Sequence, residues 1–182
     1  MSHPSLSPEL SIVEPSMPEV FAVAMDARRL LEHAWSDATA HHSVEPSPDN
    51  PPSRGQCGVS SVWLARKLIT LGYDAQVAEG TLEMDGLDEG FVWVHVARGD
   101  ELPWVADVTC DQFGSINRTP VHVGEYNSGP GLIGAYAMSE LFDPYANMHR
   151  KLMRRFAILE ENIRVLPWWR RKALGLTSPT RR

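Results

Sequence analysis

At Gly72 the hydrophobic period of the chain changes from about 3.6 residues to two. Before it, Gln56 to Leu71 sets Val59, Val62, Ala65 and Ile69 on one stripe, and Gly72 is placed to stop the helix. After it, residues 73–82, 91–98 and 104–109 alternate apolar with polar positions, the pattern of strands with one buried face. The short stretch from Gly99 to Pro103 makes a hairpin the simplest link between the last two. A helix followed directly by antiparallel strands is an α+β arrangement, and 182 residues suffice for one compact domain of that kind.

The flanks complete the organisation. Residues 1–18 contain Pro4, Pro8, Pro15 and Pro18 among serines and read as a flexible arm. From Glu19 to about Ala40, Val20, Val23, Ala27, Leu30, Leu31 and Ala34 recur at helical spacing. Four prolines between Val44 and Arg54 require a loop. Gly124 to Gly134 reads as another loop, Gly134 to about Val165 is largely helical in pattern, and Pro167 ends it. The expected division is an arm (1–18), one domain (19–166) and a basic tail (167–182).

Charge and cysteine usage narrow the functional classes. Residues 150–182 hold ten of the seventeen Lys and Arg but two of the twenty-three acids, so this end carries about +8 and the rest about −14. A basic helix facing its own acidic domain accounts for this without nucleic acid. Trp168 and Trp169 beside Arg170 and Arg171 form an amphipathic patch expected to dock on the domain itself. Apolar runs fall well short of the roughly 20 residues that span a bilayer, and no leader pattern opens the chain; a soluble, cytoplasmic protein is expected. Cys57 and Cys110 belong to no CxxC pair or zinc spacing, and the adjacent His41 and His42 lack a third ligand, so neither metal nor cofactor is expected.

Cys57 opens the helix before Gly72, where unsatisfied N–H groups and the helix dipole favour a thiolate. Gly55 and Gly58 leave room for a carbonyl to approach the backbone, making Gln56 and Gly58 candidates for the substrate or oxyanion contact. A hairpin centred near Glu101 sets His95 opposite Asp107, an imidazole beside the carboxylate that would orient it. A buried structural cysteine and a core histidine remain the bland alternatives. His122, in Val121-His122-Val123, is the fallback base; Asp111 and Gln112 are placed to line the site but read first as an exposed polar corner, and Cys110 as a packing residue.

The run Gly55-Gln56-Cys57-Gly58, then Phe91-Val92-Trp93-Val94-His95, then Trp104-Val105-Ala106-Asp107-Val108-Thr109 resembles the Cys, His, Asp order of the transglutaminase-like superfamily, within the papain-like fold. The resemblance covers about residues 54–114. It implies N-terminal helices packed on an antiparallel sheet, with the triad Cys57, His95 and Asp107 at their junction. It also implies acyl transfer or amide hydrolysis on a small-molecule or peptide acyl donor, with water or an amine as acceptor. One departure stands out: the superfamily often carries its histidine two residues before the strand tryptophan, as in HxW, and that place is Phe91 here. A non-catalytic binding module that keeps the fold is the competing expectation.

Overall fold

The computed structural model describes residues 16–41, 50–84, 87–113, 119–126, 136–146 and 148–174, with the side chains of 82–89 and 113 set aside. Most of the proposed arm, the His42 half of the histidine pair and the end of the basic tail lie outside these residues. Four helices, α1 (Met17–Leu31), α2 (Cys57–Thr70), α3 (Arg150–Val165) and α4 (Trp168–Ala173), accompany five strands. The strands are β1 (Ala75–Met84), β2 (Leu87–Arg98), β3 (Glu101–Asp107), β4 (His122–Glu125) and β5 (Tyr136–Phe142). They form one antiparallel sheet in the order β4-β3-β2-β1-β5. Among the described residues no helix is long and apolar enough to cross a membrane.

Local sequence explains most boundaries. Ser16 caps α1 by accepting from the Glu19 N–H, so Met17 and Pro18 lie inside the helix, with Pro18 where a missing N–H costs nothing. The helix ends at Leu31, short of the expected Ala40, and turns follow. The larger difference is β5: Tyr136 to Phe142, read from sequence as helical, pairs with β1 as a strand. Helical spacing in a short segment yields here to sheet pairing, since Tyr136 is buried and its strand completes the β1 edge.

One sheet face carries Val77, Val94, Val96, Trp104, Ala106 and Val108 and packs under α1, α2 and α3 in a single core. The other face carries Ala78, Phe91, Trp93, Val105 and Tyr136, with Cys57 packed against it from the start of α2. The tail differs from expectation. Trp168 is 72% exposed and Trp169 is exposed too, so the patch is not docked on the domain.

Gly80 fixes the approach of β5 at an irregularity in the β1–β5 register. A Cβ there would land on the Ala137 carbonyl oxygen and lie 2.9 Å from Trp93 Cη2. Backbone cannot yield as a side-chain tip can, so Gly80→Ala is expected to destabilise the fold by about 3 kcal/mol. A urea melt showing less than about 1 kcal/mol of loss would mean that β5 shifts freely.

Candidate functional site

Cys57 is the first residue of α2, and the chain reaches it through Gly55, whose φ of +74° is a left-handed conformation that glycine adopts without strain. The Gly55 N–H donates to Gln112 Oε1 at 3.1 Å and its carbonyl accepts from His41 N–H. Gln112 lies in a 3-10 turn, Cys110–Phe113, just beyond β3. The loop before the cysteine and the turn after the Asp107 strand are therefore bonded directly to each other.

The Cys57 thiol is pushed above its ordinary pKa, first by burial and further by the Asp107 charge. The polar groups nearby, the backbone at Val92, the Gln112 side chain and the backbone at Gly58, work against that shift. Gln112, expected at an exposed corner, is instead buried at the thiol. Its oxygen is committed to Gly55, which orients the amide and leaves Nε2 buried without an acceptor among the described residues. Gln56 does not join the site. Its Nε2 donates to the Ser36 carbonyl and its Oε1 accepts from the Thr39 hydroxyl, so its amide ties α2 to the turns after α1. Gly58 is buried under Leu152 of α3, where an added Cβ would meet Leu152 Cδ1 at 2.9 Å.

His95 and Asp107 stand on neighbouring strands, but not opposite each other. His95 pairs with Val105 and Val94 with Ala106, so the next rung sets Asp107 beside Trp93. The turn is Gly99-Asp100 alone, with Gly99 at φ +58°, and Glu101, Leu102 and Pro103 already belong to β3. That moves the hairpin centre by one residue and the pairing by two. A register irregularity between Val96 and Arg98 accommodates the proline. The even offset keeps His95 and Asp107 on one face as diagonal neighbours, about 7–8 Å apart.

Each of the two has other partners. His95 Nδ1 lies 2.8 Å from the Tyr126 hydroxyl, which also accepts from Trp93 Nε1 at 3.3 Å. Burial lowers the His95 pKa, opposed by the Asp74 charge, which favours the neutral imidazole. Asp107 Oδ1 accepts from the Thr109 N–H and hydroxyl, and Oδ2 from the Cys110 thiol and the Tyr136 hydroxyl. Its pKa is raised, burial outweighing these four bonds. Cys110 thus bonds the aspartate as well as packing.

The cross-strand partner of Asp107 is His122 on β4, with its ring stacked on Tyr136 at 6.0 Å. The alternation around His122 was the sequence signal for this strand. Phe91, in the HxW place, is buried and stacked on Trp93, with ring centroids 6.3 Å apart. Asp111 forms no part of the site, since its carboxylate is held by Arg28 of α1 through two bonds of 2.6 Å. Among the described residues no group of three or more His, Cys, Asp or Glu is arranged to hold a metal. No protein-family model, no curated protein and no solved structure matches the chain.

Proposed function

We propose that the chain performs transglutaminase-like acyl transfer or amide hydrolysis with Cys57 as nucleophile. The observation that carries this reading is the placement of Cys57 as the first residue of α2, joined through the Gly55–Gln112 bond to the turn after the Asp107 strand, with the Gln112 amide N–H groups buried and uncommitted nearby. The same donors that favour a thiolate can receive the negative charge of a tetrahedral intermediate. In the reaction the Cys57 thiol gives its proton to a base, and the thiolate adds to the carbonyl carbon of an amide, ester or thioester. The C–N, C–O or C–S bond to the leaving group then breaks as that same proton passes from the base to the leaving group. Water or an amine then adds to the thioester, the bond to Cys57 breaks, and the sulfur leaves as thiolate. His95, on the Trp93 face of the sheet with its pKa lowered, is the candidate to take the acceptor's proton, and Asp107 the carboxyl group on the neighbouring strand behind it.

A second reading has its own support. With Phe91 in the place of the HxW histidine and His95 bonded to Tyr126, the site could bind an acyl group without turning it over. Incubation with p-nitrophenyl acetate, followed by intact mass and peptide mapping, separates the two. One acetyl group is expected on Cys57 and none in Cys57→Ala. Because the thiol pKa is raised, the acylation rate should still be climbing above the ordinary thiol value of about 8.5. Catalytic release of nitrophenol, slowed in His95→Ala, supports the enzyme; a stable acyl adduct supports the binding module. Absence of both an adduct on Cys57 and any Cys57-dependent release of nitrophenol removes both forms of the thiol proposal.

A further inference from the structure

Arg155 differs from Arg28 and Arg66, the other arginines of α1, α2 and α3 that are at least half-buried. Arg28 is paired with Asp111 and Glu32, and Arg66 with Glu160 and the Pro144 carbonyl. Arg155 is partly buried, its Nε is wholly buried, and it has no hydrogen bond or ion pair among the described residues. A buried guanidinium N–H without an acceptor is costly, so an acceptor reaching Arg155 Nε would relieve that cost.

The place of Arg155 is beside Cys57. Helix α3 lies over the start of α2, with Leu152 against Gly58, and Arg155 follows Leu152 by three residues on the same flank. Burial lowers the Arg155 pKa, and the charge that opposes this is that of Cys57 itself. A second, separate donor faces the same thiol: Gln112, 5% exposed, with Nε2 unpartnered among the described residues. One orphaned donor is neutral and the other positively charged, and they flank one nucleophile.

We infer that the ligand of this site is an acyl compound carrying a carboxylate a few bonds from the reacting carbonyl, with Arg155 holding the carboxylate and Gln112 the carbonyl oxygen. A monoamide or monoester of a short dicarboxylic acid has this chemistry. Guanidinium and carboxylate match as a two-point, charge-assisted pair, and the side-chain amide donates a single neutral bond to the carbonyl. This inference rests on the acyl-group reading of the Cys57 site, but binding tests it without requiring the thiol to react.

The experiment uses the full chain carrying Cys57→Ala, titrated by calorimetry with glutaramate and, separately, with neutral butyramide. Glutaramate is expected to bind more tightly than butyramide. Adding Arg155→Ala should weaken glutaramate about tenfold or more, the size of a lost charge-assisted bond, and leave butyramide unchanged. Arg155→Lys should recover part of the loss, which a purely structural role of Arg155 would not produce. Gln112→Leu should weaken both ligands. Equal binding of the two amides, no binding of glutaramate, or glutaramate affinity indifferent to Arg155→Ala overturns the inference. Failure of the nucleophile shows up elsewhere, as unreacted Cys57 in the wild-type chain treated with p-nitrophenyl butyrate.

Discussion

Asp107→Ala is expected to lower stability by about 3–5 kcal/mol, and thermal unfolding by roughly 10 °C, because the substitution strands four buried donors at once. The Thr109 N–H, the Thr109 hydroxyl, the Cys110 thiol and the Tyr136 hydroxyl all converge on this carboxyl group, and it is 1% exposed. Asp107→Asn keeps an acceptor for Thr109, and the Cys110 and Tyr136 groups can reorient to accept, so about 1–2 kcal/mol should be lost.

The pH dependence separates charge from hydrogen bonding. Burial raises the folded-state pKa of Asp107 above its unfolded value, near 3.9, so its stabilising contribution is complete below that value and declines as pH rises through the folded pKa. The stability gap between wild type and Asp107→Asn should therefore narrow as pH rises. Chemical denaturation across pH checks this, and a gap that widens with pH would mean that the ionised carboxylate is the favoured buried form.

Arg28→Ala should be nearly as damaging, at about 3 kcal/mol. Arg28 is 3% exposed; it bonds the Val108 carbonyl and both oxygens of Asp111, pairs with Glu32, and lies over the Trp35 ring at 4.7 Å. Burial opposes its charge, but Asp111 and Glu32 prevail and hold its pKa above the ordinary value. Its removal leaves Asp111 without its cation and frees the turn that carries Gln112. Alongside the loss seen by urea denaturation, thiol alkylation at Cys57 should change, because the Gln112–Gly55 bond sets the loop before that residue. A variant within about 1 kcal/mol of wild type would show that Lys or water substitutes readily for the fork.

The sequence carried the elements around the site better than the contacts between them. Helical periodicity from Val59 to Ile69 and the alternation beyond Gly72 sufficed for α2 and for β1 to β3. The placement of Cys57 at a helix start followed from the same pattern. The pairing of His95 did not, because a hairpin register depends on where the turn begins, and Gly99-Asp100 could not be told from a longer turn reaching Pro103. The burial of Gln112 was equally hidden: its role depends on a bond to Gly55 across 57 positions, which no local period encodes. Arg155 lay within a basic stretch that read as a solvated face; α3 packing on Gly58 turns it toward the cysteine.

The strand order also bears on how the molecule avoids its own kind. With β4 and β5 outermost among the described strands, these two offer the backbone groups that another chain could zip onto. Strand β4 spans four residues, too short a template for stable addition. Strand β5 is longer, but it exposes Ser139 and Glu140, and the irregularity in its pairing at Glu79 and Gly80 twists it from a flat line. The central strands, which carry the aromatic face and the candidate site, are thereby kept from forming an open edge.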